Sequence, residues 1–404
     1  MTLRRAAIVS PIRTAVGRFG GSLATIPAGE LGAIILKALI ERTRIDPERI
    51  DDVIYAQGYG NGEAPAIGRW SALAAGLPIS VPGYQLDRRC GSGLQAVIDA
   101  AMMVQTGAAD VVVAGGVESM SNVEYYSMDH RRGARSGSTT FHDRLTRGRV
   151  MSQPIERFGV ISGMIETANN LAGDYAISRE ACDAFALRSH RLAAQAWADG
   201  KFDDELVPVP VPQKRGEPLL FKADEGIRAD ATMESLGALK PIEKGGVVTA
   251  GNASQQNDAA AACLVVAEDK LGELGLEPIG WFHSWAAAGC EPSRMGIGPV
   301  PAVERLFRRT GLGWGDIGLV ELNEAFAPQV LAVLKGWGWG GEEDWGDRLN
   351  VNGSGISLGH PIGATGGRIL ANLLREMQRR EVRYGLETMC IGGGQGLVAV
   401  FERA

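Results

Sequence analysis

The sequence is poor in cysteine, histidine and positive charge, and each scarcity excludes something. Five cysteines in 404 residues, odd in number and without a CxxC pair, give neither a disulfide framework nor a zinc signature. They fit a reducing compartment. Of the five histidines, His130, His142, His190 and His283 stand in no ligand-like cluster, so no metal is expected. No run approaches the ~20 apolar residues of a membrane span. A formal net charge of −6 argues against a nucleic-acid partner, and any anionic ligand must be met by local basic groups or backbone amides.

What remains is the composition of an ordinary soluble enzyme, 45% hydrophobic and 22% charged. The chain is longer than the ~250–300 residues at which single cores stop growing, which predicts two or three domains or one repeated architecture. Fifty-five glycines punctuate strand-length apolar runs that alternate with helical patterns, the habit of an α/β protein. The first arginines (Arg4, Arg5, Arg13, Arg18) superficially resemble a transit peptide. Ala6–Ser10, however, reads as a strand running directly into a Pro-containing loop, so a cytoplasmic protein is expected.

The two ends of the chain look alike. Leu94, Val97, Ile98, Ala101 and Val104 form a helical stripe followed by Gly107 and the strand-like Asp110-Val-Val-Val-Ala-Gly-Gly116. Ile369, Leu370, Leu373, Leu374 and Met377 form the same stripe, followed by Gly385 and Leu386-Glu-Thr-Met-Cys-Ile-Gly-Gly-Gly394. A weaker echo joins Asp51–Ala56 to Asp316–Glu321. These echoes predict a duplicated half. Residues 122–248 differ, with six arginines between 131 and 149, a long helix opening at Ser178 and the run Val207-Pro-Val-Pro-Val-Pro212. They read as a structured insertion capping the first half.

Cys90 lies in Asp87-Arg-Arg-Cys-Gly-Ser-Gly-Leu94, between the strand-like Tyr84–Leu86 and a helix. Unpaired backbone N–H groups and the helix dipole favour a thiolate there. His360, in the glycine-rich approach to another helix Ser357-Leu-Gly-His-Pro-Ile-Gly-Ala-Thr-Gly366, is the natural base, with Pro361 suited to the first turn. Cys390 closes the second-half strand before Gly392, Gly393 and Gly394, at the kind of sheet edge where α/β sites assemble. Asn323, in Asn323-Glu-Ala-Phe-Ala327, could hold a water or a carbonyl oxygen. Taken singly, each has an ordinary reading as core, packing or cap residue.

Together the four segments resemble the thiolase family, over nearly the whole chain from Ser10-Pro-Ile-Arg-Thr14 to Gly396. Gly115-Gly-Val-Glu-Ser-Met-Ser121, Gly251-Asn-Ala-Ser254 and Ile177-Ser-Arg-Glu180 are also similar. The resemblance implies a five-layered αβαβα fold: an N-terminal half of residues 1–121 and 249–270, a loop domain of 122–248 covering coenzyme A, and a C-terminal half of 271–404. It implies ping-pong acyl transfer in which Cys90, activated by His360, takes the acyl group and Cys390 exchanges the proton at C2 of the second acyl-CoA. The backbone N–H groups of Cys90 and Gly392 would hold one oxyanion, and His360 with a water on Asn323 the other. Ser254, Arg228, Met164 and Phe326 would contact coenzyme A or substrate. Acyl-CoA and coenzyme A are then the partners, no cofactor is bound permanently, and a homodimer or homotetramer is expected.

One departure concerns Ser162-Gly-Met164, which sets Gly163 where biosynthetic acetoacetyl-CoA thiolases carry histidine; longer or functionalised 3-ketoacyl chains become candidates. The tryptophans of Gly336–Asp347 are expected to pack in a surface loop, the arginines from 131 to 149 to be solvated or to meet a subunit or a phosphate, and Cys182, Cys263 and Cys290 to be small core residues. The rival readings are a decarboxylating ketoacyl synthase, which would need a second histidine where Cys390 stands, and a non-catalytic acyl-CoA- or lipid-binding relative.

Overall fold

The computed structural model describes residues 3–404. The chain begins with β1 (Ala6–Thr14), α1 (Ala28–Thr43), β2 (Asp52–Ala56), α2 (Ile67–Ala74), β3 (Tyr84–Leu86), α3 (Ser92–Thr106) and β4 (Val111–Ser119). A long excursion carrying α4 (Met164–Asp174) and α5 (Arg179–Ala198) precedes β5 (Asn257–Ala267). The rest is β6 (Gly280–Gly289), α6 (Pro299–Thr310), β7 (Ile317–Leu322), α7 (Ala327–Gly336), α8 (Ile362–Arg379), β8 (Tyr384–Ile391) and β9 (Gln395–Arg403).

The strands pair in the order β7-β8-β9-β6-β1-β5-β4-β2-β3. The centre of this path is thin, since β1 meets β6 only through Ala7 opposite Trp281 and Ile8 opposite Gly280. On either side of that seam the order repeats, as β1-β5-β4-β2 and as β6-β9-β8-β7. The sense repeats as well: two antiparallel pairings and then a parallel one. The echo between the acidic strand starts at Asp51 and Asp316 therefore corresponds to β2 and β7, which hold equivalent places.

Strand alternation divides the interior into layers. In β5, Ala260, Ala262, Leu264 and Val266 join α1 and α2 in one outer core. Cys263, Val265 and Ala267, on the other face, join a central core that contains the stripes of both α3 and α8. In β9, Leu397, Ala399 and Phe401 face that centre, while Val398 and Val400 face a third core with α5, α6 and α7. Helix, sheet, central helices, sheet and helix make the five-layered αβαβα fold.

One local expectation is corrected. β1 does not end before Pro11 but runs through it to Thr14. The register shifts between Val9 and Ile12, and Ser10 has φ +46°. The strand bulges there, which removes the need for the N–H that proline lacks.

The excursion is anchored on β1. Buried Arg13 donates through Nε to Glu205 at 2.6 Å and through Nη1 and Nη2 to Asp224 at 2.8 and 3.0 Å. Within the excursion, the Ser178 hydroxyl caps α5 by accepting the Ala181 N–H at 3.2 Å. The tryptophans pack as expected. Trp339 lies 4.6 Å from Trp314 and 5.2 Å from Trp337, Arg348 covers Trp339, and Trp345 meets Phe185 of α5.

Candidate active site

Cys90 sits in a single 3-10 turn, Arg89–Gly91, between β3 and α3. Arg89 has φ +48°, a conformation that costs a non-glycine residue on the order of 1 kcal/mol or more. It is held there from several sides: its N–H donates to Asp87 at 2.6 Å and its guanidinium to the carbonyls of Gly58 and Gly148 at 3.3 and 3.0 Å. His360 occupies the matching approach to α8, with Pro361 as the residue just before the first turn. The His360 N–H donates to Asn257 Oδ1 at 2.9 Å, and Nδ1 lies 2.7 Å from Thr365 Oγ1.

The starts of α3 and α8 touch through glycines. A Cβ on Gly366 would lie 2.1 Å from the Leu94 nitrogen, and one on Gly93 would lie 2.8 Å from the Gly363 carbonyl oxygen. Only glycine permits this approach, and it brings the two helix mouths together. As a result Cys90 and His360 line one cavity of about 420 Å³, with Met164, Ser254 and Phe326 also in its wall.

The remaining predicted residues are placed less uniformly. Asn323, fully buried after β7, holds Nδ2 at 3.4 and 3.5 Å from the two His360 ring nitrogens, the limit of hydrogen bonding, and its Oδ1 has no partner among the described residues. Cys390 is fully buried, behind the cavity wall rather than in it, packed with Ala253, Met295, Ala325 and Phe326. Arg228 is exposed and outside the cavity, its N–H donated to His190 Nδ1 at 3.1 Å. Cys182 and Cys263 are core residues, whereas Cys290 is only partly buried and donates its N–H to the Gly394 carbonyl at 2.8 Å.

Electrostatics depart from the expected thiolate. Burial pushes the Cys90 thiol above its ordinary value, outweighing the Gly392 N–H and the Arg89 guanidinium, which pull it down. Burial, helped by Arg368 and Arg149, lowers His360 to about 3, so the imidazole is neutral. Cys390 is raised well above the usual thiol value by burial and then by Cys90 and Cys290. The resting cavity therefore holds an uncharged thiol and an uncharged imidazole.

Glu118 and Thr365 were missed as positioning groups. Buried Glu118 accepts the N–H groups of Gly58 and Gly363 at 2.9 Å each and of Tyr59 at 3.2 Å, joining the first half to the turn that carries His360. Burial pushes its carboxyl up to about 7. The signals for Glu118 were an acid inside a largely apolar strand and its place in the family-like segment Gly115–Ser121. Of the arginines from 131 to 149, expected to be solvated or to meet a subunit or a phosphate, Arg149 lines the cavity.

Solved structures share this fold from end to end. The Bacillus anthracis acetyl-CoA acetyltransferase superposes with a TM-score of 0.93 at 40% identity, covering 100% of both chains. Human mitochondrial 3-ketoacyl-CoA thiolase in complex with CoA gives 0.91 at 36% identity, covering 100% of this chain and 99% of that one. The protein is thus an α/β acyltransferase. A thiolase N-terminal domain matches residues 6–269 and a thiolase C-terminal domain residues 276–403. An acetyl-CoA acetyltransferase of Chromobacterium violaceum is 47% identical over 401 residues, 98% of this chain and 99% of its own. The chain belongs to the thiolase family.

Proposed function

We propose that the protein cleaves 3-ketoacyl-CoA with coenzyme A, and runs the reverse Claisen condensation, through an acyl group carried on Cys90. Because thiol and imidazole are both neutral at rest, the Cys90 proton passes to His360 as the sulfur attacks C3 of the substrate. The oxyanion formed there lies against the N–H groups of Cys90 and Gly392. The C2–C3 bond then breaks, its electron pair passing to C2 as the enolate of acetyl-CoA, whose oxygen meets His360 and the Asn323 side. Cys390 delivers its proton to C2, and acetyl-CoA leaves. Coenzyme A gives its proton to Cys390, attacks the acyl carbon on Cys90 and departs as a shortened acyl-CoA, while Cys90 recovers its proton from His360.

The observation that carries this reading is that Cys90 and His360 open on one cavity while the N–H of Gly392, two residues beyond Cys390, bears on the Cys90 sulfur. On the same reading Ser254 lies along the pantetheine, Met164 and Phe326 flank the thioester, and Arg228, exposed outside the cavity, meets the nucleotide. Residues 122–248 form the cover over coenzyme A, between halves of 1–121 with 249–270 and of 271–404. Exposed Tyr125, Met128 and Phe141 on that cover favour a homodimer or homotetramer. No helix among the described residues is long and apolar enough to cross a membrane. The likeness to bacterial acetyl-CoA acetyltransferases supports a cytoplasmic enzyme that acts on coenzyme A thioesters without a permanently bound cofactor. Intact-mass measurement after mixing with acetyl-CoA tests the core of the proposal: one acetyl adduct, mapped to Cys90 and absent in Cys90→Ala, is expected. Unmodified protein under turnover conditions would refute it.

A further inference from the structure

Most of the catalytic cavity is lined by apolar or small residues, and among the described residues Arg149 is the single lysine or arginine in that lining. Met120 and Ile362, also in the lining, pack with Tyr59 and Leu145 in a small core. The Arg149 guanidinium meets neutral groups. Gln256, with its amide oxygen turned toward it, accepts from Nη1 at 3.3 Å and Nη2 at 3.0 Å.

Among the described residues Arg149 forms no ion pair, while Arg144 on the same short helix pairs with Glu124. Among the described residues Glu243 is the only carboxylate lining the cavity, and it accepts from the Asn169 amide at 2.9 Å. A partly buried guanidinium without a counter-charge carries a desolvation cost that an incoming anion removes, and its planar fork suits a carboxylate held by two parallel bonds. Coenzyme A's own phosphates are poor candidates for that anion. The whole pantetheine arm separates them from the thioester, and Arg149 lines the same cavity as Cys90 and His360. The anion must then belong to the acyl chain.

We propose that Arg149 is a specificity residue that binds the terminal carboxylate of a 3-ketoacyl-CoA whose acyl chain ends in a carboxyl group. This rests on the thiolase reading above and names a substrate class within it. Gly163, on the same cavity, leaves space beside the path of such a chain.

The test is thiolysis of a graded series of 3-ketoacyl-CoAs in which each chain length is supplied with a methyl end and with a carboxylate end, alongside acetoacetyl-CoA. At the best-fitting length the carboxylate-ended substrate is expected to have the higher kcat/KM. Arg149→Met should lower the carboxylate-to-methyl ratio by about 10- to 100-fold, the loss expected for charged hydrogen bonds, and Arg149→Lys should keep part of it. A methyl-ended preference at every length, or a ratio untouched by Arg149→Met, would overturn the assignment while cleavage of acetoacetyl-CoA left the thiolase reading standing. If the wild-type protein cleaves none of these thioesters, the thiolase reading falls, and this inference with it.

Discussion

The first half of the molecule brings a cysteine to the mouth of α3 and the second brings a histidine to the mouth of α8, although both helices serve the same strand order and share one core. The strand ends diverge in the same way. β8 closes on Cys390, whereas the matching β4 carries Gly115, Gly116 and then Glu118, which holds the His360 turn through its bond to Gly363. Duplication thus supplies the geometry, two helix mouths meeting at Gly93 and Gly366. Divergence supplies the chemistry. The two cysteines sharpen the contrast, since Cys90 lines the cavity while Cys390, fully buried, packs against Ala253, Met295, Ala325 and Phe326 of its lining.

The largest way to break that contrast is to remove each thiol in turn. Cys90→Ala should lower thiolysis by about 10⁴-fold or more and abolish the acyl adduct. Cys390→Ala should cripple carbon–carbon cleavage comparably and yet still take an acetyl group from acetyl-CoA. If mass spectrometry finds the adduct missing in both, the division of labour is wrong.

The next effect concerns pH. A thiol raised above its usual 9.0 makes the thiolate scarcer at neutral pH, so iodoacetamide should alkylate the free enzyme about tenfold faster per pH unit up to that value. His360, lowered to about 3, is already deprotonated far below 6.5, so kcat/KM should show no imidazole inflection near 6.5. An inflection there, lost in a His360 variant, would mean that the imidazole is solvated.

Smaller changes probe the helix contact and the cavity. Gly366→Ala sets a Cβ against the Leu94 backbone, and urea denaturation should report a loss of about 3 kcal/mol. Gly163→His has open space around its Cβ but must adopt φ +156°, a glycine conformation. It should narrow the 3-ketoacyl chain-length profile by about tenfold at the long end, the scale of a small steric change in a pocket, and an unaltered profile would remove Gly163 as the source of room. Glu118→Gln keeps the size but weakens the acceptor for three N–H groups. A loss of about 1 kcal/mol is expected, with kcat falling more than KM changes, and Glu118→Asp should not restore it.

Much of this was readable before any coordinates. The stripes at Leu94–Val104 and Ile369–Met377 specify two buried helices because an apolar period of about 3.6 residues is a local property. Gly107 ends α3 with φ +76° as its place after the stripe predicts. The strand-to-helix junctions that carry Cys90, His360 and Asn323 were legible for the same reason. What could not be read was distance along the fold: Pro11 lies inside a strand because a bulge accommodates it, and Arg149 is separated from Cys90 by 59 positions of sequence yet shares its cavity.

The sequence by itself determined the strand and helix pattern, the internal duplication and the set of reactive side chains, since each is written in spacing over a few turns. Only the tertiary structure decided that α3 and α8 cross at glycines and that Cys390 lies behind the wall. It also decided that Arg228 stands outside while Arg149 stands within, and that the Cys90 thiol is raised rather than lowered. Helix dipole and neighbouring amides can be inferred from sequence, but desolvation depends on everything packed around a group, and at Cys90 desolvation is the larger effect.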